Sequence, residues 1–180
     1  MQSNGIFIIA ELGGEAGEAI RRINELYDPK LARYKPPHIT ITGSSGAGPI
    51  PGSVSLDLLR QRLEPIAEST EAMSLRFGPP LRFMQTQIVV LPLDPHGPLR
   101  TLHDRITSSG LPFQRARFTF SPHATLSLYP TLTRETEKKL LSMRVREPAI
   151  IERLTVYHTL EPQPAKKLLE LVLTGNGEGN

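Results

Sequence analysis

Two short segments of this chain pair the same residue types in the same order: Pro37-His38-Ile39-Thr40-Ile41-Thr42 and Pro122-His123-Ala124-Thr125-Leu126-Ser127. Each sets a histidine and a hydroxyl residue two positions apart between apolar residues. A strand alternates faces with every residue. His38, Thr40 and Thr42 therefore share one face, and Ile39 and Ile41 the other. The second segment divides the same way, with His123, Thr125 and Ser127 opposite Ala124, Leu126 and Leu128. Imidazole and hydroxyl stand about 6.6 Å apart along each strand, two steps of the strand rise. A histidine titrates near neutrality, with an unperturbed pKa of about 6.5, and can take or give a proton there. Two of them around one polar cleft, with Thr40 and Thr125 as hydrogen-bond donors, form an acid–base pair with built-in stabilisation of developing charge.

The elements that must hold these residues are legible around them. Ile6–Leu12 reads as a buried strand, broken by Gly13-Gly14, and residues 15–27 as an amphipathic helix with an acidic start. Pro36-Pro37 leads into the first motif strand. Gly43 to Gly52 is a glycine-rich loop without the Gly-Lys-Ser/Thr ending of a phosphate-binding loop, and is expected to be a mobile loop beside the cleft. Ser53 is the expected cap of a helix over residues 54–69, shortened or kinked by Pro65. Strands are expected over 72–77, 81–84 and 87–93. A helix is expected from Asp94-Pro95 to Ser109, closed by Gly110, with His96 and His103 on one face. A basic-aromatic stretch, 113–120, precedes the second motif. Thr133 caps a helix over 134–143, and strands follow over 151–160 and 167–174. Gly175 to Asn180 reads as a disordered tail. Strand, helix, motif strand, helix and strands thus occur twice. This order predicts an α+β fold of two pseudo-symmetric lobes in residues 1–174, each an antiparallel sheet with outer helices, and the cleft between them.

Composition sets bounds. The chain has 180 residues, 17 prolines and 14 glycines, no cysteine, and a formal net charge of +3. It holds one compact domain or two packed lobes. Without cysteine there is no disulfide, thiolate metal site or cysteine nucleophile. No apolar run is long enough to span a membrane, and Met1–Gly5 does not begin a signal peptide. A cytoplasmic monomer is the expectation. The mild basic excess is compatible with a polyanionic ligand. Its densest clusters, Lys30/Arg33/Lys35 and Arg115/Arg117, each precede a motif. No third histidine or carboxylate pair stands at metal-ligand spacing, so neither metal nor other cofactor is expected. His158, Asp57 and Asp104 read as structural or solvated.

The paired His-x-Thr motifs, with their proline and apolar context, resemble the 2H phosphoesterase superfamily, which includes 2',5' RNA ligases and 2',3'-cyclic phosphodiesterases. The likeness extends to the N-terminal strand and the C-terminal strand pair. It implies the bilobal architecture and an RNA or nucleotide substrate. It also implies catalysis by His38, Thr40, His123 and Thr125, with His38 as acid on the leaving ribose oxygen and His123 as base on water. Relatives often carry a basic residue after a motif, where this chain has Gly43 and Leu128-Tyr129. Phosphate recognition is therefore expected from Lys35 or Arg117, while Tyr129, Phe118 and Phe120 are read first as core packing, with stacking on a base as their alternative role. The alternative is an RNA- or nucleotide-binding module of the same fold with little or no catalysis.

Overall fold

The computed structural model describes residues 4–129 and 132–176. Nine strands and five helices alternate along them. The strands are β1 (Gly5–Glu11), β2 (His38–Thr42), β3 (Met73–Leu75), β4 (Leu81–Arg82), β5 (Val89–Pro92), β6 (His123–Ser127), β7 (Ala149–Ile151), β8 (Arg153–Thr159) and β9 (Lys166–Val172). The helices are α1 (Gly14–Tyr27), α2 (Pro29–Tyr34), α3 (Leu56–Glu68), α4 (Pro98–Thr107) and α5 (Arg134–Ser142).

Seven strands form one antiparallel sheet in the order β4-β5-β6-β2-β1-β8-β9, while β3 and β7 pair separately. The two halves anticipated from the sequence are visible as β1–α1–α2–β2 and β5–α4–β6. In each, the motif histidine is the register partner of the last residue of the preceding strand: His38 of Glu11, His123 of Pro92. The two sheets expected on either side of a cleft are instead joined edge to edge. β2 and β6 are neighbours, paired at Ile39 and Ala124. The alternation that hides Ile39, Ile41, Ala124 and Leu126 completely suits either arrangement, and pairing decides between them.

The helices pack apolar residues into the same core: Ile20 of α1, Leu59 and Leu63 of α3, Leu99 and Leu102 of α4, and Leu140 of α5. Ala16, Ile20 and Asn24 recur every fourth residue on the buried side of α1. α5 begins at Thr133 with a reciprocal capping box to Thr136. Several expected boundaries move. α3 is capped by Ser55, not Ser53, whose place lies in the preceding turn, and it continues through Pro65 to Glu68. α4 starts at Pro98, because Asp94 folds the chain into a turn by accepting from the His96 N–H at 2.9 Å. Proline suits a first helical position and disrupts later ones. His96 therefore lies outside the helix and shares no face with His103, which is buried with Nδ1 2.8 Å from the Ile41 carbonyl oxygen. The short helix α2 had no expected counterpart.

The glycine-rich loop is pinned, contrary to its expected mobility. Gly46 N donates to the Phe118 carbonyl at 2.8 Å and Gly48 N to Gln114 at 2.8 Å, while Ile50 and Ile6 exchange both backbone bonds. Phe120 is buried and stacks on His103 with ring centroids 4.1 Å apart, so it serves packing. Among the described residues no helix is long and apolar enough to cross a membrane. Gly175 N donates to the Thr70 carbonyl at 2.9 Å, which anchors the start of the expected tail; residues 177–180 lie outside the described residues.

Candidate active site

The two motif strands have the same burial pattern, residue for residue. Histidine and threonine are half-buried on one face, and the intervening apolar residues are wholly buried. The third hydroxyls, Thr42 and Ser127, are covered, and neither Oγ finds a partner among the described residues. Carrying the Ile39–Ala124 register one residue to either side sets His38 opposite Thr125 and Thr40 opposite His123. β2 and β6 meet at this one pair, and the four side chains flank it. The four side chains thus form a quadrilateral, with the imidazoles on one diagonal and the hydroxyls on the other. His38 and Thr125 line one small cavity together with Lys35 and Asn24.

Both imidazoles are anchored alike. His38 Nδ1 lies 2.8 Å from the Pro36 carbonyl oxygen, and His123 Nδ1 lies 2.7 Å from that of Ser121. A carbonyl only accepts, so Nδ1 carries the hydrogen in both rings. Nε2 is then the nitrogen left to exchange protons. The proline before each histidine favours the extended backbone in which the ring reaches back two residues.

Burial disfavours the imidazolium and dominates both titrations. The His38 pKa falls to about 4: burial is opposed by the Pro36 carbonyl and Glu11, and reinforced by the charges of Lys35 and His123. The His123 pKa is lowered by burial, with the Ser121 carbonyl opposing. Both rings are therefore neutral at pH 7 in the free protein, and an anion between them would restore a proton. Phe83 closes one side of His123, edge to face at 5.0 Å between centroids.

Lys35 stands beside His38, half-buried, with Phe7, Tyr34 and Tyr157 rings 5.5–5.8 Å from its ammonium. Burial lowers its pKa, and Glu161 partly opposes this. Among the described residues it makes no ion pair. Tyr129 lies just past β6, with Lys30 Nζ 4.0 Å from its ring centroid. Arg117 lies over the ring of Phe118 at 5.4 Å, and that ring is 65% exposed. The pair sits on the segment that clamps the glycine loop and has no described contact with the dyad. Gly43 follows the first motif because nothing larger fits: at φ +128°, a Cβ would lie 2.1 Å from the Phe7 ring.

Two further residues set the second motif in place and escaped the sequence reading. Asn24 Nδ2 donates to the Thr125 and Leu126 carbonyls at 3.0 and 2.9 Å. It takes the place of a strand partner where β6 leaves β2. Asp28 caps α2 by accepting from Leu31 N at 3.1 Å, and its other oxygen accepts from Leu128 N and Tyr129 N at 2.8 and 3.0 Å. Both continue the four-residue stripe Ala16, Ile20, Asn24, Asp28. Polar residues on a buried stripe were the available signal. Among the described residues no three His, Asp or Glu side chains are grouped as metal ligands.

The family model described as the 2'-5' RNA ligase superfamily matches residues 13–169, so the chain belongs to that superfamily. Solved structures agree in fold. LigT of E. coli, complexed with 3'-AMP, superposes with a TM-score of 0.58 at 17% identity, over 96% of this chain and 99% of that one. TT0787 of Thermus thermophilus gives 0.64 at 14%, over 94% and 98%. A structure described as a phosphoesterase gives 0.51 at 16%, over 96% and 99%. No curated protein matches the sequence.

Proposed function

We propose that this protein is a metal-independent phosphoesterase acting on RNA ends or nucleotides. It would hydrolyse 2',3'-cyclic phosphates, form and cleave 2',5' phosphodiesters, or do both. The observation that carries the reading is the matched pair His38 and His123, each with Nδ1 committed to a carbonyl and each diagonal to the other across two threonines.

In hydrolysis, one Nε2 takes a proton from water as the water oxygen attacks phosphorus. The bond from phosphorus to one ribose oxygen breaks, and the other imidazolium gives that oxygen its proton. Water plus the cyclic diester becomes a monoester and a free hydroxyl. His38 acts as the acid and His123 as the base in this direction, and they exchange roles in ligation. Thr40 and Thr125 hydroxyls donate to the phosphoryl oxygens as their charge grows. The Lys35 ammonium, partly desolvated, draws the phosphate in. The substrate's negative charge raises both histidine pKa values, and His38 takes up from solvent the proton that it then gives to the leaving oxygen.

The test is turnover of nucleoside 2',3'-cyclic phosphates by pure protein in EDTA. His38→Ala and His123→Ala should each lower kcat by about 10²–10⁴-fold, as loss of a general acid or base does. Full activity in either variant refutes the two-histidine mechanism. Tight binding of cyclic phosphates and 2',5' dinucleotides without turnover would favour a binding module instead.

A further inference from the structure

Beside the His38 end of the quadrilateral lies a second and larger cavity of about 400 Å³, whose walls include Glu11, Gly14, Pro36, Ile150, Glu152 and Arg153. Pockets for small ligands run from about 300 to 1,000 Å³. Two wall residues tie this cavity to the first motif. Glu11 is the register partner of His38, so both side chains rise from the same sheet face. Pro36 supplies the carbonyl that holds His38 Nδ1.

The Glu11 carboxylate is fixed on one side only. Its Oε1 accepts from the Tyr157 hydroxyl at 2.9 Å and lies 3.7 Å from Lys167 Nζ. Lys167 and Arg153 both bind Glu170, at 3.2 and 2.9 Å, which braces the cluster across β8 and β9. Oε2 makes no described bond. A carboxylate oxygen accepts, so this one is open to an N–H or O–H donor. Lys35 and Glu11 act on the His38 pKa in opposite senses. With Glu11 and Glu152 set against Arg153 in its walls, and Lys167 paired with Glu11, the larger cavity has no excess of positive charge to hold a second phosphate. It suits the uncharged part of a nucleotide.

We propose that this cavity is a nucleoside subsite of the same active site. It takes a base bearing an exocyclic amino group, which donates to Glu11 Oε2. Adenine, cytosine and guanine present such a group and uracil does not. The inference rests on the proposed function in that the phosphate sits at His38.

The experiment is equilibrium titration of the full chain with the four nucleoside 2'-monophosphates and with inorganic phosphate. The three amino-bearing nucleotides should bind about tenfold or more tighter than phosphate, and several-fold tighter than the uridine nucleotide. Ile150, 36% exposed on β7, allows the cavity to be filled without touching the motifs. Ile150→Trp should remove the gain due to the base and leave phosphate binding as it was. Glu11→Gln, whose amide can donate, should abolish the preference over uridine, and it serves as the test if the tryptophan variant does not fold. Affinity that ignores the base, or nucleotide binding untouched by both variants, overturns the subsite. Binding is read without turnover. Base-dependent affinity with no hydrolysis would count against the proposed function alone, and hydrolysis without base dependence against the subsite alone.

Discussion

The burial that lowers the His38 pKa to about 4 has a consequence for stability as well as catalysis. Between about pH 6.5 and pH 4 the unfolded chain binds a proton at this residue that the folded chain refuses. Stability rises with pH wherever the unfolded state binds more protons. The contribution is therefore fully present above about pH 6.5 and is lost as pH falls toward 4. Thermal melts should show wild-type Tm dropping over this interval more steeply than in His38→Ala. Equal slopes would mean that the ring is not desolvated as described. In the proposed mechanism the hydroxyls act on charge that develops only during reaction. Thr125→Val keeps the shape and deletes the donor, and should lower kcat by about 10²–10³-fold with little change in melting temperature. An unchanged kcat would remove Thr125 from the site.

α1 does more than cover the sheet. Its buried stripe ends in Asn24 and Asp28, whose polar atoms hold the backbone of β6 and the start of α2. This helix therefore links Thr125, through its carbonyl, to the segment that presents Lys35 and His38. Asp28→Ala strands three N–H groups that the carboxylate satisfied, and buried unsatisfied donors cost about 1–3 kcal/mol each. Water reaches part of the gap, so a loss of about 3 kcal/mol in denaturant melts is the expected outcome, together with reduced turnover. A loss below about 0.5 kcal/mol would show that β6 holds its place without this tie. The glycine loop also has a definite role. By bonding to Gln114 and Phe118 it steadies the chain that enters β6.

The two halves share one sheet and one apolar core that runs through β1, β2, β5, β6 and β8. Ile39 lies at their joint, wholly buried and paired with Ala124. Ile39→Ala should destabilise by about 2–5 kcal/mol and leave a single cooperative transition, followed by circular dichroism. Two separated transitions would mean that the halves fold as independent units. The joint also explains why the site is compact. Adjacent strands of one sheet bring the motifs together, and the face that carries the motif histidines continues over β1, β8 and β9 to the carboxylates and cations that shape the second cavity.

Much of this organisation is written in the chain. Alternation assigns His38 with Thr40, and His123 with Thr125, to one face of each strand, and the burial pattern agrees. Thr133 marks the start of α5, and the helix expected over 15–27 begins one residue from its observed start. These are short-range properties, set by strand and helix periods and by capping within a few residues. Where the sequence misleads, longer-range forces or competing local ones decide. The spacing of His96 to His103 is helical, yet Asp94 and Pro98 redirect the backbone. The glycine loop lacks any local reason to be fixed, and its partners lie some seventy residues away. Sequence alone determined which residues form each motif strand and which side faces the core. Only the tertiary structure decided that β2 and β6 are neighbours in register, that Asn24 and Asp28 hold them, and that burial keeps both imidazoles neutral. Strand partners and desolvation depend on what packs against a residue from distant parts of the chain, and no local pattern encodes that.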